Sequence, residues 1–182
     1  NAFTSERYSK RVLVPMGEYI PFEACKKFAA RYGVFGSFTC GKEAVIMNSK
    51  GINFSPSICY EETFGDIMAE GRQKGADLFV NLTSDVWYPN SKLPRQHMDH
   101  ARLRTVENGV PLIRSCNTGI TAAIDSLGRD IAVLGGENPE AVEWVSDSLL
   151  VNVPVYSYHT LYSRFGDRLI IGISLIILFL AM

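Results

Sequence analysis

The sequence lacks an excess of charge of either sign. Eighteen Lys and Arg against nineteen Asp and Glu leave a formal net charge of −1. That argues against a broad nucleic-acid footprint, which needs clustered positive charge. It also lacks paired metal-ligand motifs. Its four cysteines are Cys25, Cys40, Cys59 and Cys116, and none stand as Cys-x-x-Cys. Neither a zinc site nor a thioredoxin-like redox motif is expected from them. Their even number permits disulfides, but a chain of 182 residues does not need them and the spacings suggest no framework. His97 and His100 share a helix face without forming His-Glu-x-x-His, so no metal is expected. No cofactor is expected. There is no internal repeat and no low-complexity segment.

What is present suits one globular domain. Apolar residues make up 47% and charged residues 20%, a mixture that can bury a sizeable core at this length. The last stretch differs. Leu169 to Met182 reads LIIGISLIILFLAM, with no charge and no polar face at helical spacing. Crossing a bilayer takes about 20 apolar residues. The run is too short as it stands, yet it reads as the start of a transmembrane helix rather than a buried one. A polar, aromatic stretch, 156–168, reads as a linker before it, with Tyr156, Tyr158, Tyr162 and Phe165 suited to a membrane interface.

Periodicity places strands at Arg11–Val14, Ala44–Asn48, Ile52–Ile58, Asp77–Thr83, Leu112–Cys116, Ile120–Asp125, Ile131–Leu134 and Leu149–Val153. A turn at Asn48-Ser49-Lys50-Gly51 joins the second and third of these. Helices are expected at Phe22–Tyr32, Glu62–Lys74 and Leu93–Asn108, each followed by Gly33, Gly75 or Gly109. Strands alternate with helices early and run antiparallel later, which predicts a mixed, layered α/β domain.

Cys59 stands where a strand gives way to a helix. A nucleophile there projects from the sheet edge, and the following backbone N–H groups can serve as an oxyanion hole. The nearby helix start also favours a thiolate. A buried structural cysteine is the ordinary alternative. Lys10 and Glu18 bracket Arg11 to Gly17. A lysine near a thiol lowers its pKa and stabilises an oxyanion, and a carboxylate orients that lysine. The alternative is two solvated surface charges. A Cys–His dyad through His97 or His100 is a further possibility. Arg102, Arg104 and Glu107 read as structural ion pairs. Asn81-Leu82-Thr83 matches a glycosylation sequon but falls in an expected buried strand.

Five segments together resemble a known family. They are YSKRVLVPMGEYIPF from Tyr8 to Phe22, Ile58-Cys59-Tyr60-Glu61, and Thr83-Ser84-Asp85-Val86-Trp87-Tyr88. The helix carrying Gln96, His97, Ala101, Arg102, Arg104 and Glu107 follows, then Arg114 to Ala122. Their order and spacing are similar to those of apolipoprotein N-acyltransferases, of the nitrilase superfamily, over roughly residues 8–125. The departures are Met16 for Phe, Ser84 for Asn and Pro89 for Gly.

The resemblance implies an α-β-β-α sandwich with a Glu-Lys-Cys catalytic set. Cys59 would be the nucleophile, Lys10 the catalytic lysine and Glu18 a second, positioning glutamate. Tyr60, Glu61 and Trp87 would line or support the substrate pocket. The family's general-base glutamate lies well before the lysine, and only nine residues precede Lys10 here. The resemblance therefore implies a piece of a longer protein, inactive alone. Residues 1–155 would be an N-terminally truncated catalytic domain, 156–168 the linker and 169–182 the start of the membrane helix.

The implied reaction moves an acyl chain from a membrane phospholipid, through a Cys59 thioester, to the N-terminal amine of a diacylglyceryl-cysteine apolipoprotein. The implied location is the bacterial inner membrane, with the catalytic domain on its outer side. Arg164 and Arg168 beside the apolar run point the other way, since such flanks usually mark the cytoplasmic side. Two alternatives share the same residues: a soluble carbon–nitrogen hydrolase acting on a small amide or nitrile, and an inactive membrane-tethered interaction domain.

Overall fold

The computed structural model describes residues 7–22, 30, 37–87, 91–136 and 146–181. Two compact units divide the chain, one formed by Arg7–Glu43 and the other containing Ala44–Met182.

The larger unit is built on one six-stranded sheet whose spatial order equals its chain order: β1 (Met47–Ser49), β2 (Ile52–Ile58), β3 (Leu78–Thr83), β4 (Leu112–Cys116), β5 (Ala122–Ile124) and β6 (Asp130–Val133). β1 and β2 form an antiparallel hairpin, β2, β3 and β4 run parallel, and β5 and β6 return antiparallel. The hairpin loop is Lys50-Gly51, both left-handed at φ 51 and φ 85. That backbone matches the twist of the flanking strands, and glycine takes it without strain.

Each parallel pair is joined across a helix. A 3-10 turn, Cys59–Thr63, and helix α1 (Gly65–Gln73) lead from β2 to β3, and helix α2 (Leu93–Asn108) leads from β3 to β4. Right-handed crossovers made in one direction put both helices on the same face of the sheet. The buried core agrees. Met68 of α1 and Met98 and Ala101 of α2 pack with Phe79, Leu112, Ala122 and Ile124. Along β3 the residues alternate. Phe79, Asn81 and Thr83 are buried, whereas Leu82, on the opposite face, is 55% exposed. The described residues thus form one sheet with helices on one face. The second sheet of the expected sandwich is not among them, because all six strands lie side by side in a single ladder.

α2 begins with Pro94 in its first turn and stops at Gly109, left-handed at φ 64. A Cβ there would collide with the carbonyl of Tyr158. Stretch 156–168 is laid along the helices. Tyr158 N donates to Gly109 O at 2.9 Å and its hydroxyl to Ser126 O at 2.9 Å. Within it lies helix α3 (Leu161–Phe165), where Thr160 Oγ1 accepts from Ser163 N at 2.8 Å. Helix α4 (Arg168–Leu180) follows and buries none of its 13 residues. At 1.5 Å per residue it is about 20 Å long, short of the roughly 30 Å hydrocarbon core. Among the described residues no helix is long and apolar enough to cross a membrane.

Two expected strands are absent from the described residues. Arg11–Val14 is irregular and leads into a tight turn at Val14–Tyr19. Val14 O accepts from Glu18 N at 2.8 Å and from Tyr19 N at 3.3 Å, with Met16 left-handed at φ 63. Leu149–Val153 is irregular and has no ladder partner among the described residues. The helix expected at Phe22–Tyr32 falls almost wholly outside the described residues.

Candidate active site

The end of β2 carries an unusual backbone. Cys59 is left-handed, at φ 58, directly after the last β2 residue and at the first residue of the 3-10 turn. Non-glycine residues seldom adopt this conformation, at a cost on the order of 1–3 kcal/mol. The helix expected from Glu62 is split here. The 3-10 turn takes Cys59–Thr63, and α1 starts only at Gly65.

Buried polar groups hold this turn from three sides. The Glu61 carboxylate accepts from Ile58 N at 2.7 Å, closing the turn around Cys59. Asn81, fully buried on β3, donates to Cys59 O and to Ser57 Oγ, each at 3.0 Å. This use of Asn81 also explains why the sequon there is inaccessible. Thr63 Oγ1 donates to Tyr60 O at 2.7 Å, and the Tyr60 ring meets Phe64 edge-on at 5.3 Å. Tyr60 and Glu61 are thereby placed with Cys59, Glu61 as a backbone support at 0% exposure.

Glu62 turns the other way, into the core. Its Oε1 accepts from Arg114 Nε at 2.8 Å, and both side chains are fully buried. Arg114 Nη1 donates to Ile120 O at 2.9 Å and to Cys116 Sγ at 3.2 Å, and Nη2 lies 3.4 Å from Asp85 Oδ2. Asp85 Oδ1 sits 2.8 Å from His97 Nδ1 on α2. His97 is therefore engaged with a carboxylate. Burial pushes the Glu62 carboxyl above its usual range, and the Arg114 guanidinium opposes that only in part. Burial likewise pushes the Cys116 thiol up to about 12, although Arg114 beside it acts in the opposite direction. A thiol so placed stays protonated at neutral pH and is a poor nucleophile.

Asp85 opens the loop that carries Trp87. Its N–H donates to Thr118 O at 3.0 Å, and a Cβ at Gly119 would collide with its carboxylate. Trp87 is 70% exposed. Tyr88 and Pro89 lie outside the described residues.

In the smaller unit Lys10 and Glu18 meet. Lys10 Nζ is 2.7 Å from Glu18 Oε1, with the lysine side chain only 9% exposed. Glu18 Oε2 accepts from Val14 N at 2.8 Å, so the tight turn at Pro15–Gly17 aims the carboxylate at the lysine. The pair is not two solvated charges. Arg104 pairs with Glu107 at 3.2 Å, and Arg102 pairs with Asp130 and lies 3.5 Å from Asp99, as structural ion pairs.

A family model described as carbon-nitrogen hydrolase matches residues 2–146. The chain belongs to the carbon–nitrogen hydrolase family. Within it, this carbon–nitrogen hydrolase chain is similar to proteins named apolipoprotein N-acyltransferase. That of Chlamydia muridarum is 46% identical over 166 residues, covering 88% of this chain and 30% of the relative. That of Chlamydia caviae is 42% identical over 176 residues, covering 93% and 32%. That of Haemophilus influenzae is 32% identical over 182 residues, covering 97% and 33%. The chain thus spans about a third of the length of these relatives. Among solved structures, an amidase of the nitrilase superfamily from Nesterenkonia aligns with 56% of this chain and 41% of its own, at 20% identity and a TM-score of 0.48.

Glu62, Asp85 and Arg114 do not stand out by residue type alone. The signal was an arginine inside a strand of otherwise buried pattern, Leu112-Ile113-Arg114, which requires carboxylate partners if it stays charged.

Proposed function

We propose that this chain is the catalytic part of an N-acyltransferase that works through a Cys59 thioester. Residues 1–155 form that catalytic part, 156–168 the linker, and 169–182 the lipid-facing end. The acyl donor is a membrane phospholipid. The acceptor is the N-terminal amine of an apolipoprotein bearing diacylglyceryl-cysteine. The observation that carries the reading is the left-handed Cys59 at the end of β2. Strain of this kind at a strand end exposes a nucleophile, and the surrounding hydrogen bonds hold it there.

In the first half-reaction the Cys59 sulfur attacks the ester carbonyl. A carboxylate general base, which the family places ahead of the lysine, takes the thiol proton. By the family resemblance, Lys10, oriented by Glu18, and backbone N–H groups after Cys59 stabilise the tetrahedral oxyanion. Collapse expels the lysophospholipid alkoxide, which receives the proton, and leaves the acyl group on sulfur. In the second half-reaction the acceptor amine attacks the thioester, a new amide forms, and the thiol is restored. Tyr60 and Trp87 line the path of the substrate, and Glu61 keeps the turn in place.

Lipid substrates favour a site at a bilayer surface. Support comes from α4, most of whose apolar side chains face solvent, among them Ile173 at 47% and Phe179 at 80% exposure. A patch of this kind is a membrane or partner contact. The bacterial inner membrane, with the catalytic part on its outer side, is the corresponding location.

The test is mass spectrometry of the full-length protein extracted from membranes and supplied with phospholipid but no acceptor. An acyl adduct is expected on Cys59, sensitive to neutral hydroxylamine and absent in Cys59→Ala. An acyl group on another cysteine, or release of free fatty acid with no adduct, overturns the reading. Release of ammonia from small amides would favour the hydrolase alternative instead.

A further inference from the structure

We propose that Arg114 is a positioning residue that ties the turn carrying Cys59 to the loop carrying Trp87. It holds Glu62 on one side and Asp85 on the other. The inference rests on the reading of Cys59 as the nucleophile.

Arg114 is placed to do this. It sits on β4, which is paired with β3 on one edge and β5 on the other, and its side chain is fully buried. Its Nε donates to Glu62 at 2.8 Å, and Nη2 lies 3.4 Å from Asp85. Nη1 is occupied by Ile120 O and Cys116 Sγ. Glu62 is three residues after Cys59 within the same short turn, and Asp85 is two residues before Trp87. A single rigid fork therefore meets one carboxylate from each segment.

Glu62 depends on that contact. Its second oxygen, Oε2, is buried with no hydrogen-bond partner among the described residues. Without Arg114 a carboxylate would remain in the core with nothing to hold its charge, and the turn would have to move to bring it to water. Asp85 is steadier, because His97 and the backbone at Thr118 hold it as well. Buried ion pairs add little stability relative to apolar residues of the same volume. What this one supplies is a fixed relation between two segments that each carry a proposed site residue.

The experiment uses two variants of the full-length protein, Arg114→Met and the pair Glu62→Met with Arg114→Met. The pair removes both charges at similar volume, so it remains folded even if the single variant does not. Two readings are taken. One is the pH profile of iodoacetamide alkylation at Cys59, followed by peptide mass with Cys40 as internal reference. The other is amide hydrogen exchange over residues 84–87. The pair variant is expected to slow Cys59 alkylation at neutral pH by about tenfold or more, as for a slightly misplaced reacting group. It should move the midpoint of the profile and speed exchange at 84–87, with Cys40 unchanged. A folded pair variant with parental values at both places overturns the proposal. A change at only one place also overturns it, since Arg114 would then support one segment without joining the two. If the parent Cys59 reacts no faster than Cys40, the nucleophile reading fails. The tie is then still decided by both readings, each taken relative to the parent protein.

Discussion

Asn81 reaches from the middle of the sheet to the carbonyl oxygen of Cys59, at 3.0 Å. The strained residue is thus anchored to its neighbouring strand, and the same amide holds Ser57 Oγ at 3.0 Å. Replacing Asn81 by Leu strips both acceptors of their donor in a buried place. The expected loss of stability is about 1–3 kcal/mol. Urea unfolding measures it, and Cys59 alkylation should slow in the folded variant. An unchanged midpoint would show that the bond adds nothing.

The conformation of Cys59 makes its own prediction. An alanine at this position keeps a Cβ in the left-handed region, whereas glycine relieves it. Cys59→Gly should therefore be more stable than Cys59→Ala by about 1 kcal/mol. Equal unfolding midpoints would argue against a left-handed residue 59. Neither variant should form a thioester.

Lys10→Met should reduce thioester formation on Cys59 by roughly 100-fold or more, the scale of losing an oxyanion donor. Glu18→Gln retains an oxygen for Val14 N but removes the charge facing Lys10. It should produce a smaller loss. Single-turnover acylation with labelled phospholipid reads both. A Lys10→Met protein that acylates at the parental rate removes Lys10 from the mechanism.

The segments read correctly from sequence share a physical character. β2 and β4 fall at the expected bounds, and α2 runs from Leu93 to Asn108 as expected. Each is closed by a glycine or a turn at its end. The two missed strands, at Arg11–Val14 and Leu149–Val153, are short apolar runs whose type depends on whether another strand lies alongside. Around the candidate site, Lys10 and Glu18 read by themselves as two solvated surface charges, and only the family resemblance joins them. The partners of Arg114 are not legible either. Glu62 and Asp85 are 52 and 29 residues away in sequence, and only the parallel register of β2, β3 and β4 brings them together.

Alkaline pH offers a check on the buried cluster. The Cys116 thiol is pushed up to about 12 in the folded chain from an ordinary value of 9.0. Its neutral form is favoured by folding, so its contribution is fully present below about pH 9. That contribution is lost as pH rises towards 12. Stability should fall between pH 8 and pH 10.5 in the parent, and less steeply in Cys116→Ala. Parallel slopes in the two proteins would mean that the thiol is not held in a desolvated place. At pH 8 iodoacetamide should label Cys116 more slowly than Cys59 or Cys40.

Helix α4 should bind lipid. Ile173 and Ile177 are 47% and 61% exposed. Burying each such side chain in acyl chains contributes about 2 kcal/mol. Replacing both with Asp should lower the partition of the protein onto phospholipid vesicles by tenfold or more. Co-sedimentation measures this. Undiminished binding would assign the membrane contact elsewhere.

The sheet's spatial order follows the order of synthesis, from β1 to β6. Among the described residues every ladder of the sheet therefore joins a strand to the one made just before it, and none waits for a partner still inside the ribosome. A nascent chain can zip this sheet up from one side, with α1 and α2 closing over each new addition. The left-handed cysteine would be set early, once β3 arrives with Asn81. The Arg114 tie would form a step later with β4, so a chain stalled between the two would hold a shaped turn whose charge had not yet found its counterpart.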